Sequence, residues 1–374
     1  MINTKKLKVL IFHPALATYR VDLFNELSKN IQLKVIFLRE NLIQPFDQIK
    51  LRESLICDYD YLLTGFEYKE RLFRWGIRKM LSEELPDVVV CSEFSPLTLW
   101  LSLLKYAGSN HNWKLCVWTD DNPRMIAETN WIKNILKSVV LKKTDSLIVC
   151  NSKVKLHYQK KGFVTGLCYI IRDENLYRKQ LLNLIPLANN KIQKYSLTNK
   201  KIILFVGRLV KIKGVDRLIQ AFTELIKTIP EAMLVIIGDG SERVNLEKQV
   251  ARSKLSDHIR FEGWLEGEDL LLWYLIVNLF VLPSHHECFG AVVNEALLAG
   301  VPVMCSECAG ASDLINNGKN GFVFDPYNNE EMAFLMSKLL YDSSLCGDII
   351  HLRPNLMPYL FVDSVHGFIS AVTA

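Results

Sequence analysis

What most restricts this chain is a repeating alternation of short apolar runs with longer amphipathic ones. In the first half, Lys8–Phe12, Leu33–Leu38, Asp87–Cys91, Leu115–Thr119, Ser146–Cys150 and Cys168–Ile171 read as strands. Between them, Val21–Lys29, Lys69–Glu84 and Leu97–Ala107 carry apolar residues three and four apart and read as helices. Strands that alternate with helices build a parallel, doubly wound sheet, with ligands at the carboxyl edge of the strands. From Asp173 to Lys200 the pattern loosens, and polar residues, Pro186 and Asn189-Asn190 read as a linker. The alternation then resumes. Lys201–Val206, Ala232–Ile237, Ile259–Phe261, Leu279–Leu282 and Val301–Met304 read as strands. Val215–Thr228, Ser241–Ser253, Gly290–Ala299 and Glu330–Leu340 read as helices. The expected organisation is an α/β domain over 1–172, a linker over 173–200, and a second α/β domain over 201–358. A terminal helix over 359–374 is expected to pack back on the first domain. The natural ligand site of such a chain is the cleft between its domains.

The chain begins with Met1-Ile-Asn-Thr-Lys-Lys-Leu and runs straight into a strand-like segment that His13 and Pro14 end, so no signal peptide is expected. The longest apolar stretch, Leu270 to Leu282, is interrupted by Asn278 and is shorter than the ~20 residues a spanning helix needs. It reads as a helix end followed by a core strand. Nine cysteines, mostly within strand-like runs, suggest reduced thiols and a cytoplasmic protein. Cys305-Ser-Glu-Cys308 has the spacing of half a zinc site but no companion pair, and two residues after a strand is the plainer reading. Charge is unevenly spread. Residues 1–180 carry 28 Lys and Arg against 19 Asp and Glu, and residues 133–161 hold eight lysines and the single acid Asp145. A basic first half suits an anionic partner, such as a membrane surface or a phosphate-bearing acceptor; a solvated helix face is the alternative.

Three stretches of the second half carry chemistry. In Phe205-Val-Gly-Arg-Leu-Val-Lys-Ile-Lys-Gly-Val-Asp216, Gly207 ends a strand, and Arg208 and Lys213 stand before the next helix. Two cations at the mouth of a parallel sheet suit a diphosphate, Arg as a fork and Lys as a point charge. Ile237-Gly-Asp-Gly-Ser-Glu-Arg243 begins like a dinucleotide fingerprint, but Arg243 occupies the third glycine's place, so NAD is disfavoured and a tight turn near a nucleotide remains. Pro283-Ser-His-His-Glu-Cys-Phe-Gly290 joins a strand to a helix. The helix N-terminus offers free amides to an anion, and Glu287 and Glu295 stand beside it where sugar hydroxyls would employ them.

In order and spacing these elements resemble glycosyltransferase family 4, the large retaining family with the GT-B fold of two Rossmann-like domains facing an interdomain cleft. The matching residues are Gly207-Arg208, Lys213-Gly214, Gly238-Asp-Gly240, Phe261-x-Gly263, Pro283-Ser284, Glu287-x-Phe-Gly290, Glu295-Ala296, Gly300-x-Pro302 and Gly318-x-x-Gly321. Glu287 and Glu295 keep the family's E-x7-E spacing. The resemblance is strong over 201–326 and looser over 1–172, where it rests on the strand pattern and on Tyr19-Arg20-Val-Asp-Leu-Phe24. It implies that Arg208 and Lys213 hold the donor diphosphate and stabilise the departing nucleotide. It implies that Glu295 binds ribose, that Glu287 contacts the transferred sugar, and that Ser284 and the amides at Phe289 and Gly290 touch sugar and phosphate. Gly207, Gly238 and Gly240 would shape the nucleotide site, with Phe261 to Trp264 against the base.

The first half departs from that pattern. Many relatives carry a Gly-Gly loop after the first strand, whereas here it reads His13-Pro-Ala-Leu-Ala-Thr-Tyr-Arg20. Many carry a histidine after a later strand, whereas here Trp118-Thr-Asp-Asp-Asn-Pro123 stands. Asp120 or Asp121 is expected to face the acceptor instead, Asp121 as the base for the incoming hydroxyl; a turn or N-cap acid is the competing reading. His13, Tyr19, Arg20 and Glu93 are placed on the same acceptor side. Asp58-Tyr-Asp60 matches a metal-binding D-x-D only by chance, His285 and His286 lack ligand spacing, and Cys288 is expected to be buried, a thiol mildly activated by the helix N-terminus being the alternative.

The expected activity is a metal-independent retaining glycosyltransferase without a separate cofactor. It would move a hexosyl-type group from a nucleoside diphosphate sugar to a hydroxyl acceptor. A lipid-linked or surface polysaccharide precursor at the inner face of the cell membrane fits, and nucleic acid does not. The rival readings are a sugar-nucleotide epimerase or phosphorylase on the same plan, and a sugar-nucleotide-binding subunit without catalysis.

Overall fold

The computed structural model describes residues 6–41, 48–108, 112–342 and 352–374. They fall into two compact units, the chain up to Arg172 together with Phe361–Ala374, and Asp173–Leu360. The first unit runs β1 (Lys8–His13), α1 (Thr18–Asn30), β2 (Gln32–Phe37), α2 (Gln48–Glu53) and β3 (Asp58–Tyr61). A hairpin follows, β4 (Gly65–Tyr68) and β5 (Arg71–Arg74), then α3 (Ile77–Glu84), β6 (Val88–Ser92), α4 (Pro96–Ala107) and β7 (Lys114–Thr119). The unit continues through α5 (Pro123–Ala127), α6 (Trp131–Leu141), β8 (Ser146–Val149), α7 (Ser152–Gln159) and β9 (Val164–Leu167). Seven strands form one parallel sheet in the order β3-β2-β1-β6-β7-β8-β9. Helices cover both faces, so Val9 to Phe12 and Val88 to Cys91 are buried without alternation.

The second unit begins with α8 (Glu174–Lys194), β10 (Lys201–Val206), a 3₁₀ turn (Lys211–Lys213), α9 (Val215–Leu225), β11 (Ala232–Ile237) and α10 (Arg243–Arg252). It continues with β12 (Ile259–Gly263), α11 (Gly267–Ile276), β13 (Leu279–Leu282), α12 (Ala291–Leu298), β14 (Val303–Ser306), β15 (Gly321–Phe324) and α13 (Asn329–Tyr341). Its six strands are also parallel, in the order β12-β11-β10-β13-β14-β15. In each sheet the winding reverses beside the first strand, between β1 and β6 and between β10 and β13. A doubly wound sheet opens a crevice for ligand at that point.

The last helix, α14 (Phe361–Thr373), joins the first unit and packs on β8, β9 and α1. Phe368 meets the buried Trp118 edge-on, 5.3 Å between ring centroids. The backbones meet as closely as two glycines allow. A Cβ on Gly166 would stand 1.9 Å from the Gly367 carbonyl oxygen, and one on Gly367 would stand 1.8 Å from that of Leu167.

Three segments differ from the sequence expectation. Residues 173–200 do not form a linker. Asp173 caps α8 by accepting from the amides of Asn175 and Leu176, and Tyr177, Leu181, Leu184, Ala188 and Ile192 make one buried helical stripe. That stripe outweighs Pro186, whose ring lacks one donor inside the helix. The strand expected at Cys168–Ile171 lies at Val164–Leu167, because Gly166, a poor strand former, is what lets α14 approach. Only the second half of Lys69–Glu84 is helical. Gly76 at φ +86° turns the chain into α3, and the residues before it pair as the β4–β5 hairpin.

Candidate functional site

Predicted site residues of the second unit gather at the carboxyl edge of β10 and β13. After β10 the chain leaves through Gly207, whose amide donates to Ile237 O at 3.0 Å. Gly238, at φ +133°, lies so close that a Cβ there would stand 1.9 Å from the Gly207 carbonyl oxygen. Gly240 likewise leaves room for Leu209 O, 2.4 Å from where its Cβ would be. Two strand ends therefore run side by side with no side chain over them, and Arg208 is exposed there with no ion pair among the described residues.

The 3₁₀ turn that follows is docked on the end of β13. Gly214, at φ +67°, has the Pro283 carbonyl oxygen 2.2 Å from its Cβ position, and His285 N donates to Ile212 O at 2.8 Å. This docking brings Lys213 Nζ into an ion pair with Glu287 Oε2. Ser284, fully buried, sends its Oγ to within 3.5 Å of the same carboxylate oxygen. Gly290, at φ +100°, then opens α12; a Cβ there would meet Leu282 at 2.7 Å, so the helix starts directly over the strand end. The first amides of a helix have no intrahelical acceptor and carry the positive end of its dipole. One turn in, Glu295 Oε2 accepts from Tyr274 Oη at 3.1 Å. Burial, and then the Glu295 carboxylate, hold the Tyr274 phenol well above its ordinary range, which keeps it a donor.

The edge thus combines an exposed guanidinium, an ammonium held by a carboxylate, a helix N-terminus and a second, oriented carboxylate. Phe289 is buried at the start of α12. Gly263 accepts from the Gly238 amide at 2.6 Å, which seats the β12 end beside the same turn. Phe261 packs on the unit's core, while Arg260 and Glu262 pair at 3.0 Å on the other side of β12. Cys288 is exposed, against expectation, because it sits on the loop rather than beneath it. Cys305 and Cys308 are buried, and no group of three or more His, Cys, Asp or Glu among the described residues is placed to hold a metal ion. Asp58 and Asp60 both lie exposed on the edge strand β3.

In the first unit, His13 ends β1, Glu93 follows β6 and Asp120-Asp121 follows β7. His13 Nδ1 lies 2.9 Å from the Ala15 carbonyl oxygen, so that nitrogen carries the proton. Burial, then Arg20, brings its pKa down to about 3. Arg20, buried, donates through Nη2 to both oxygens of Asp120 at 3.1 and 3.0 Å, with its guanidinium 4.0 Å above the Trp118 ring. Tyr19 lies at 5.5 Å from the same group. Asp121, also buried, pairs with Lys137 at 2.6 Å. Each aspartate is thus already engaged by a cation, so neither stands as an unencumbered base. The third carboxyl, Glu93, accepts from the Asp120 amide at 2.9 Å and the Thr119 hydroxyl at 3.2 Å. It occupies the left-handed region at φ +62°, rare for a side-chain-bearing residue. Burial, then Asp120 and Asp121, pushes its pKa up to about 8.

The two shifts predict opposite pH effects on stability. Unfolded His13 takes up protons between its folded value of about 3 and the ordinary 6.5, so it stabilises the fold as pH rises through that window. Folded Glu93 holds its proton from the ordinary 4.5 up to about 8, so its contribution is lost as pH rises through that range. Above pH 6.5 only the Glu93 effect remains. Melting followed from pH 6.5 to 8 is expected to show stability falling by up to about 1.4 kcal/mol per pH unit. Glu93→Gln is expected to flatten the fall.

Lys137, Thr119 and Tyr274 escaped the sequence reading. Lys137 reaches Asp121 across sixteen residues from the middle of a lysine-rich run, and Tyr274 lies within an apolar run that reads only as core. No local spacing marks either.

Residues 188–351 match the sequence model of a family described as "Glycosyl transferases group 1". Among curated proteins, the chain is 30% identical over 165 residues to 2-deoxystreptamine N-acetyl-D-glucosaminyltransferase of Niallia circulans, covering 44% of this chain and 42% of that protein. It is 33% identical over 153 residues to alpha-D-kanosaminyltransferase of Streptomyces kanamyceticus, covering 41% and 40%. The chain thus spans well under half the length of these relatives. Among solved structures, HepE of Anabaena in complex with UDP and glucose superposes with a TM-score of 0.73 at 17% identity, covering 98% of this chain and 100% of that one. A lipopolysaccharide outer core galactosyltransferase gives 0.69 at 16%, covering 98% and 99%. The fold is that of the GT-B glycosyltransferases, and the second unit carries the sequence pattern of glycosyl transferases group 1.

Proposed function

We propose that the chain is a retaining glycosyltransferase of the family-4 kind that moves a hexosyl-type group from a nucleoside diphosphate sugar to a hydroxyl acceptor. The observation that carries this is the convergence of Arg208, the Lys213–Glu287 pair and the N-terminus of α12 at one reversal point of a parallel sheet. In this reading the diphosphate lies between Arg208, Lys213 and the first amides of α12. Glu295, held by Tyr274, takes the ribose hydroxyls. Glu287 reads hydroxyls of the transferred sugar once the diphosphate competes for Lys213. As the glycosidic bond breaks, negative charge grows on the leaving phosphate, where fixed cations and amides stabilise it most. The positive charge comes from these groups, and we assign neither a metal nor a further cofactor. Gly207, Gly238, Gly240 and Gly263 keep the edge bare enough for a nucleotide to approach, with the β12 end toward the base.

The acceptor side falls to the first unit: His13, Tyr19, Arg20, Glu93, Asp120 and Asp121. Its basic composition suits a glycan carried on a lipid diphosphate at the inner face of a membrane, and we place the protein in the cytoplasm. A uridine nucleotide is the first donor to test, since the HepE structure holds UDP. Supplying nucleotide sugars with and without a lipid-diphosphate-linked glycan separates the readings. Acceptor-dependent release of nucleoside diphosphate is expected. Conversion of the sugar nucleotide without any acceptor would contradict transfer and point to an epimerase.

A further inference from the structure

Helix α6 leaves most of its length, apolar residues included, exposed. Of its eleven residues only Val140 is buried, while Trp131, Ile132, Ile135 and Leu136 face solvent, Trp131 at 72% exposure. These four fall within one side of the helix. The neighbouring α4, which packs against α6, leaves Trp100, Leu103 and Tyr106 exposed on the side away from its core residues Leu97 and Leu101. Lys143, just past the end of α6, lies 4.3 Å from the Tyr106 ring centroid, so a lysine borders both helices. Scattered exposed apolar residues are ordinary, but a cluster of them on two packed helices marks an interaction surface.

We propose that this α4–α6 face seats the protein on an anionic lipid bilayer. The charge at its border selects that partner. Lys133, Lys142 and Lys143 flank the apolar side, Lys153, Lys160 and Lys161 follow on and after α7, and the one acid of residues 133–161, Asp145, is already paired with Lys105. A tryptophan and a tyrosine with lysines around an apolar stripe is the composition of a helix that lies in the interface, its apolar side among acyl chains and its cations on the headgroups. No helix of the described residues is long and apolar enough to cross a membrane, so the contact is lateral. The inward side of α6 carries Lys137, which holds Asp121 on the acceptor edge. One helix therefore presents its outer side to the bilayer and its inner side to the residues proposed to receive a lipid-borne acceptor. The surface does not depend on the proposed chemistry, and its test uses neither donor nor acceptor.

The test is co-sedimentation of the whole chain with vesicles of phosphatidylcholine and phosphatidylglycerol in equal parts, against pure phosphatidylcholine. Binding to the anionic vesicles, weakening as salt is raised, is expected. Replacing Lys133 and Lys142 by Gln should weaken partition about fivefold for each lysine. Trp131→Ser with Ile135→Ser should abolish partition while leaving the melting temperature unchanged, since neither side chain belongs to the core. Equal binding to both kinds of vesicle overturns the anionic assignment. Unchanged partition of the Trp131/Ile135 variant overturns the assignment of this face. So does a concentration-dependent dimer of the unsubstituted chain, without vesicles, that the same substitutions abolish, because the face would then serve self-association.

Discussion

Arg208→Ala is expected to lower turnover by about two to three decades, or about 2.7–4 kcal/mol of transition-state stabilisation. Arg208 is exposed at the sheet edge and unpaired among the described residues, so its removal leaves the fold alone and a melting curve should barely move. Its charge is needed most where negative charge develops, so the loss should fall on kcat more than on KM. Lys213→Ala should act similarly but less cleanly. It also leaves Glu287, which is about 16% exposed at the side chain, without its cation. Lys213→Ala with Glu287→Gln separates the lost cation from the stranded carboxylate. Turnover by Arg208→Ala within a factor of three of the unsubstituted chain would remove the guanidinium from the diphosphate site.

Gly367→Ala is expected to be among the most destabilising single methyls in the chain. The added carbon would stand 1.8 Å from the Leu167 carbonyl oxygen and 2.6 Å from its carbon, both backbone atoms of the edge strand β9 that cannot swing aside. Helix α14 must then lift from the sheet and draw Phe368 off Trp118. Overpacking of a close contact costs about 1–3 kcal/mol, and loss of the Phe368 seat brings the total to the upper end, about 3 kcal/mol. For a unit of this size that lowers its melting temperature by roughly 6–12 °C. Gly166→Ala should do nearly the same from the opposite side, and Ser370→Ala on the exposed side of α14 should do little. A Gly367→Ala transition within about 1 °C of the unsubstituted protein would mean that α14 is not seated as described.

The glycines also show where the sequence was readable. Gly238, Gly214 and Gly290 stand just past strand ends or at helix starts, and each proves to sit where a neighbouring backbone or side chain leaves no space for a Cβ and where the chain takes a positive φ. Such positions announce themselves because nothing else fits. Gly166 works the other way. Its reason is a helix two hundred residues further on, so from sequence it only weakened a strand and moved the expected β9 to Cys168–Ile171. The stripe Tyr177, Leu181, Leu184, Ala188, Ile192 was legible at helical spacing, yet Pro186 and two asparagines masked it. Strands β3 and β15 are four-residue edge elements, β3 alternating Asp with Tyr and β15 too short to show a period. In the candidate site, Arg208, Lys213, Glu287 and Glu295 were singled out by local spacing together with the family resemblance. The partners that orient them or their counterparts, Tyr274 on Glu295 and Lys137 on Asp121, come from other elements and leave no trace in spacing. Whether Asp120 or Asp121 is available as a base depended on those partners, and Arg20 and Lys137 engage both.

The central claim is that a nucleoside diphosphate is gripped where β10 and β13 end. Hydrogen exchange of the chain with and without UDP, ADP and GDP tests it most directly. With one of the three, amides over 207–214 and 284–292 should gain protection, and Arg208→Ala should reduce the gain. Protection confined to other segments, or none with any of them at millimolar concentration, would contradict the claim.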